Sequence, residues 1–283
     1  MCIRASLVLA VFMVTQIDKG GGNIREKRYI KPDSSAHWYT ADGEPRHDAN
    51  LRTARKELLY PSVTTVLSAK AAPGLEAWKR NETLLAALKL PDELRDSSNP
   101  DAAAKYIVEQ SSAKVEAAVS RGTYVHDSIE SMFNGKPWDE EDGQLQAVAE
   151  WIDAKCVDHK WSEKSLVNKA VGYAGRADTL MEHEEFGLTL VDFKTQDVKK
   201  SRKGEWEPKF WDKFVFQLKA YAMCLPVQPR LLSLVINNNA DEVYERVWSE
   251  EESSEAWEVF KHIHAVWCYD KKFYPAKHME VSA

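Results

Sequence analysis

Polar and apolar positions give the chain two textures. Up to about residue 160, apolar side chains recur mostly at three- and four-residue steps, the spacing of a buried helix face. Ser62 can cap a short helix that buries Val63, Val66 and Leu67, and a second helix is expected over 75–88. Asn99-Pro100-Asp101 reads as a helix start: a capping side chain, a proline in the first turn, then an acid against the dipole. That helix runs to Asn134-Gly135 with a break expected near Gly122, and another follows from Asp142 to His159.

Beyond that point the pattern becomes that of strands, over Lys164–Ala170, Tyr173–Glu182 and Leu188–Lys194, the last two joined as a hairpin through Gly187. A basic loop leads to a helix over Lys209–Cys224, which Pro226 ends. An apolar strand over Leu231–Asn237 and an alternating edge strand over Glu242–Trp248 come next. The last helix starts at Glu250-Glu251-Glu252 and ends near Lys271-Lys272, charges that suit both ends of its dipole. Trp257, Phe260, His264 and Trp267 form its packing stripe. This order predicts a mixed α/β protein with a central mixed sheet flanked by helices and an added N-terminal helical region. The domains expected are a strand or extended arm over 1–60, a helical subdomain over 61–118 and a core over 119–283, packed as one unit.

Composition narrows the class. The chain has 283 residues, 44% hydrophobic and 29% charged, which is ordinary globular usage and enough for a core without staples. Cysteines at 2, 156, 224 and 268 share no close spacing, so they suit neither a zinc cluster nor a disulfide framework, and an intracellular, reducing setting is expected. The net charge of −6 excludes a purely electrostatic nucleic-acid coat, so any polyanion site must be a local patch. The longest apolar run, Ala5–Val14, falls short of the ~20 residues of a membrane span. It leaves two readings, a strand and a short targeting segment, and the absence of a small-x-small cleavage site after it favours the strand. Gly20-Gly21-Gly22 is a break. The polar stretch to Tyr60 reads either as a surface arm around Trp38 and Tyr39 or as substrate contact by Arg46, Arg52, Arg55 and Lys56; the arm is favoured.

The chemistry concentrates on two strands. One reads Gly172-Tyr-Ala-Gly-Arg176-Ala-Asp178 and the other Leu190-Val-Asp192-Phe-Lys194-Thr195. Alternation puts Asp192 and Lys194 on one face and the apolar Val191 and Phe193 on the other. Charges at alternate positions of an apolar strand are costly unless paired or bound to a cation. The hairpin brings Asp178 alongside Asp192, and a hard divalent ion relieves the repulsion between two such carboxylates. The bland alternative is an Asp192–Lys194 ion pair with Asp178 as a turn acid. Gly122, His126 and Glu130 step by four along one helix stripe and offer an imidazole and a further acid, and Gln217 and Tyr221 lie one turn apart on another helix.

The ordered set Gly-x-x-x-His, Gly-Arg-Ala-Asp, Val-Asp-Phe-Lys-Thr and Gln-x-x-x-Tyr, over about 118–237, resembles the PD-(D/E)xK nuclease superfamily. Within it the chain looks closest to the RecB-type exonuclease branch and its mitochondrial genome maintenance exonuclease type, whose lead-in Pro61-Ser62-Val63-Thr64 and Trp78-Lys79 resemble. The resemblance implies a restriction-endonuclease-like core and Mg²⁺- or Mn²⁺-dependent hydrolysis of DNA phosphodiesters, single-stranded or at ends, in replication, recombination or repair. By it, His126, Asp178, Asp192 and the Phe193 carbonyl ligate metal, Lys194 orients the attacking water, Gln217 and Tyr221 support the site, and Glu130 and Glu163 are second-tier acids. A structure-specific endonuclease and a non-catalytic DNA-binding protein are the alternatives on the same fold. Some relatives hold an iron–sulfur cluster; the late cysteine group it needs is missing here, so none is expected.

From Lys194 to Lys213 seven basic residues face four acids. Lys199, Lys200, Arg202 and Lys203, with Arg176 and Thr195 nearer the site, are expected to meet DNA phosphates, and Trp206, Phe210 and Trp211 to stack on unpaired bases. The equal alternative is a solvated basic loop anchored by those aromatics. DNA is thus the expected partner, joined by a recombination or replication protein, and no membrane.

Overall fold

A computed structural model describes residues 37–95 and 99–277, so the Ala5–Val14 run and the Gly20 break lie outside the described residues. The core is a five-stranded sheet in the order β10-β9-β6-β5-β4, formed by β4 (Cys156–Asn168), β5 (Tyr173–His183), β6 (Gly187–Gln196), β9 (Arg230–Asn237) and β10 (Val243–Trp248). The first three form an antiparallel meander. β9 then pairs parallel with β6 after a crossover through α7 (Asp212–Ala222), and β10 closes the edge antiparallel to β9.

Helices cover both faces, so the central strands are nearly continuous apolar runs. One side of β6 and β9 presents Val191, Phe193, Leu232, Leu234 and Ile236 to Val125 and Ile129 of α5 (Pro100–Phe133) and to Leu145, Val148 and Trp151 of α6 (Gly143–Lys155). The other presents Leu190, Leu231 and Val235 to α2 (Val63–Leu67), α7 and α8 (Glu250–Lys271), where Phe260 and Trp267 pack as the stripe predicts.

Local signals hold where they are strongest: the Asn99 side chain accepts from Asp101 and Ala102 N–H groups, and Ser62 caps α2. The structure adds a reciprocal capping box of Ser249 with Glu252 on α8. Four expectations need correction. α5 runs unbroken through Gly122, so 118/119 is not an element boundary, and the described residues belong to one compact unit. α6 stops at Lys155 and β4 begins at Cys156, well ahead of the expected Lys164, because its pairing with β5 extends back to Cys156↔His183. Residues 37–60 are not a loose surface arm: β1 (Trp38–Tyr39) pairs with β2 (Pro45–Arg46) and β3 (Tyr60–Pro61), α1 (Leu51–Glu57) follows β2, and Trp38 and Tyr39 are buried. The basic loop carries a short hairpin, β7 (Lys199–Lys200) with β8 (Trp206–Glu207). The remaining helices are α3 (Pro73–Leu88), packed along α5, and α4 (Asp92–Arg95). Ser62 bridges in parallel to Ala174, which docks the Pro61–Thr64 segment against β5.

No helix among the described residues is long and apolar enough to cross a membrane.

Candidate metal centre

Three strands and two helices converge where β5 and β6 part. Their ladder runs from His183↔Gly187 to Thr179↔Val191 and ends one position short of Asp178 and Asp192. There the Phe193 N–H donates to Asp178 Oδ2 at 2.8 Å, so a carboxylate replaces a backbone acceptor. Asp178 and Asp192 are buried, as is the Phe193 side chain on the opposite face.

Glu163 completes the acids. The β4–β5 register, Ser162↔Thr179 and Lys164↔Ala177, puts it directly opposite Asp178. Its φ of 50° is left-handed, a conformation that costs a non-glycine residue about 1–2 kcal/mol. The turned-out Glu163 carbonyl is taken by Arg176 Nε at 3.1 Å, and the same nitrogen meets Glu163 Oε2 at 2.6 Å. Strain of this kind persists where the surroundings over-determine it, commonly at functional sites.

From α5, His126 Nδ1 lies 3.2 Å from Glu163 Oε1 and 3.7 Å from Asp178 Oδ2. His126, Glu163 and Asp178 each offer a ligand atom, all within 4.8 Å of one another, and this group can hold a metal ion. Glu163 thus belongs with the nearest donors rather than to a second tier, and it sits inside β4 rather than before it. Asp192 adjoins them: Oδ1 accepts from Lys194 Nζ at 2.5 Å, while the buried Oδ2 has no partner. Asp192 is not within the 4.8 Å group of His126, Glu163 and Asp178, but it is electrostatically coupled to Asp178 and His126, and its bare buried oxygen is one that a hard divalent cation would satisfy.

The charges explain one another. Burial alone would push the His126 imidazole down, but the Asp178 charge and the Glu163 hydrogen bond outweigh it and raise the pKa to about 9. Burial lifts the Asp192 carboxyl to about 6 despite Lys194, with Asp178 adding to the rise. Burial would lower Lys194, yet Asp192 and Asp178 hold its ammonium above the usual lysine range. Near neutral pH the pair is therefore an ammonium on Lys194 facing a carboxylate on Asp192 that burial makes easier than usual to protonate.

The remaining site residues have definite places. Glu130 Oε2 is 3.8 Å from Arg176, and Gly122 lies beside Thr195, so the stepped stripe of α5 does face the site. Tyr221 is buried with its hydroxyl 3.4 Å from Gln217 Nε2, and burial and then Asp178 push its phenol well up. Its ring explains Gly175: a Cβ there would lie 2.7 Å from Tyr221 Cε1. Gly175→Ala should therefore cost about 1–3 kcal/mol in urea unfolding through overpacking; an unchanged midpoint would show that the ring is free to move.

Lys213, in the sequence only the end of the basic run, steps by four to Gln217 and Tyr221 and joins the site's surroundings. Lys213 Nζ lies 5.9 Å and Lys194 Nζ 5.8 Å from the centre of the Phe214 ring. Burial, then the neighbouring Lys194, lowers the Lys213 ammonium. Further out, Lys199, Lys200, Arg202 and Lys203 sit on the β7–β8 hairpin. Trp206 and Phe210 pack on the core, and Lys200 Nζ covers the Trp206 ring at 4.5 Å, so these two rings anchor the loop; Trp211 is 53% exposed. In the N-terminal part, Arg46 pairs with Asp48 and Glu57, and Arg55 donates to the Lys271 carbonyl. A cleft along another stripe of α5, lined by Tyr124, Asp127, Ser131 and Trp138, contains none of the site acids.

No protein-family model matches the chain, and no curated protein matches it.

Proposed function

We propose that the protein is a Mg²⁺- or Mn²⁺-dependent deoxyribonuclease with a PD-(D/E)xK-type, restriction-endonuclease-like core, and that it acts as an exonuclease on single-stranded DNA or DNA ends. One observation carries the reading: His126, Glu163 and Asp178 meet where β5 parts from β6, the strand that supplies Asp192 and Lys194. The order of helix, antiparallel meander, crossover helix and parallel strand supports the same core.

In this reading His126, Glu163, Asp178 and Asp192 hold the cation, with the Phe193 carbonyl as an additional oxygen donor. A divalent ion there supplies a water made nucleophilic near neutral pH and neutralises charge on the pentavalent phosphate. The carboxylates suit Mg²⁺, and the imidazole nitrogen is better tolerated by Mn²⁺. Lys194, 23% exposed and fixed by Asp192, points a cation to where the attacking water and a phosphate oxygen meet. Tyr221 and Gln217 close the site from α7, and Arg176 holds Glu163 in its turned-out conformation. Preference for ends rests on the exonuclease resemblance, as does a role in replication, recombination or repair beside a protein partner.

A time course on single- and double-stranded DNA labelled at either end, with Mg²⁺, Mn²⁺ or chelator, tests this directly. Metal-dependent loss of mononucleotides from an end is the expected result. Cleavage of circular single-stranded DNA would select the endonuclease, and no metal-dependent hydrolysis of any substrate would leave a DNA-binding protein.

A further inference from the structure

Resting on the nuclease reading, we propose that the β7–β8 hairpin is a preformed rail for an unpaired DNA strand, held in place by Gln196, Asn238 and Asn239. These three are positioning residues rather than catalytic ones.

The hairpin's base is latched from several directions. The Gln196 amide spans the loop mouth: its Oε1 accepts from the Lys209 N–H at 2.8 Å and its Nε2 donates to the Lys209 carbonyl at 3.0 Å. The turn after β9 grips the other side. Asn238 N–H donates to the Gln196 carbonyl at 2.9 Å, Asn238 Nδ2 to Asp197 Oδ1 at 2.9 Å, and Asn239 Nδ2 to the Val198 carbonyl at 3.0 Å. Gln144 Nε2 in turn donates to the Asn238 carbonyl at 3.0 Å, and Arg121 bonds both Gln144 and Asp142, which ties the turn to α5 and α6.

What the latch holds is positive charge. Lys199, Lys200, Arg202 and Lys203 cluster on the hairpin, and no ion pair to any of them is found among the described residues, whereas Arg46, Arg121, Lys155, Lys160 and Arg230 all have acidic partners. The hairpin also carries Glu205 and Glu207, with Glu207 opposite Lys199 and 3.8 Å from Lys209, so its surplus of positive charge is modest; the four cations still attract a polyanion. The hairpin begins at Lys199, five residues beyond Lys194 and three beyond the end of β6, so it follows the site closely in the chain. The exposed Trp211 ring past the latch offers a stacking surface, which an unpaired base can use and a base inside a duplex cannot. Holding the rail rigid removes part of the ordering cost of binding.

Binding is measured in chelator, so that no hydrolysis is needed. Labelled oligo(dT) 20-mer and a blunt duplex of equal length are titrated by fluorescence anisotropy across about 50–300 mM salt. Tighter binding of the single strand is expected, with affinity falling as salt rises. The triple substitution Lys200→Ala/Arg202→Ala/Lys203→Ala should make the slope of log affinity against log salt shallower by about 2. Asn239→Ala, distant in sequence from the acids, should weaken oligo(dT) roughly tenfold by loosening the rail. In turnover assays that loss should fall on KM and not on kcat, with an unchanged melting temperature. An unchanged slope in the triple variant, stronger binding of the duplex, or a wild-type KM for Asn239→Ala would overturn the rail. Absence of metal-dependent cleavage by wild-type protein would instead defeat the nuclease reading and leave the binding result to stand by itself.

Discussion

Asp192→Ala and Lys194→Ala should each reduce metal-dependent DNA hydrolysis by roughly a thousandfold or more, while oligonucleotide binding in chelator stays within about threefold of wild type. The two groups are linked by a 2.5 Å contact, yet they do different work. Asp192 has one oxygen on Lys194 and one buried oxygen with no partner, which a cation would take. Removing the side chain loses that ligand and also frees Lys194 to drift toward Asp178 and Glu163. Removing Lys194 leaves the ligands in place but takes away the ammonium that orients water and offsets phosphate charge. Asp192→Asn separates charge from shape: it keeps the packing, loses the anion, and should be as inactive as the alanine variant. Circular dichroism and melting curves establish that each variant is folded before rates are compared. Near-wild-type turnover by any of the three, from preparations free of host nuclease, would sink the assignment.

The second large effect is on metal affinity and pH. The metal-free His126 imidazole carries its proton up to about 9, and that proton must leave before the nitrogen can ligate. Apparent Mn²⁺ affinity should therefore climb about tenfold per pH unit, or about a hundredfold from pH 6 to pH 8, in calorimetric titrations. Asp192 adds a smaller rise near its own value of about 6. His126→Gln should weaken binding and flatten the climb. The metal-free protein should show the opposite sign. A histidine whose pKa is raised on folding from an ordinary 6.5 contributes its full stability below that value and loses it as the pH rises through about 9. Its melting temperature should fall over that window without metal. With saturating Mn²⁺ the fall should disappear. A wild-type affinity flat between pH 6 and 8 would remove His126 from the ligand set.

The local parts of the site were legible because their causes are local. The alternation of Val191, Asp192, Phe193 and Lys194 assigns opposite faces of a strand whatever packs on it, and the four-residue steps of Gly122, His126 and Glu130 assign one face of a helix. Capping by Asn99 and Ser62 involves groups within three residues, so it too could be read directly. Lys213 counted only as part of the basic run: its stepping with Gln217 and Tyr221 was a signal, but a lysine at a helix start has many ordinary explanations.

Sequence alone thus determined the order of the long elements from α5 to α8, the faces of the acids on β6 and the stripes on α5 and α7, since each follows from backbone periods of two or 3.6 residues; the short β1, β2, β3, α1, α4 and the β7–β8 hairpin were not among them. Tertiary structure decided the rest. Glu163 gains its place from the β4–β5 register and a left-handed turn of backbone, neither of which has a period to read. Trp38 and Tyr39 are buried because distant β3 and α8 cover them, and Trp206 faces the core because Gln196 and the Asn237–Asn239 turn fold its loop inward. Contacts between residues far apart in the chain are settled by which surfaces lose water together, and that is a property of the whole fold rather than of any window of sequence.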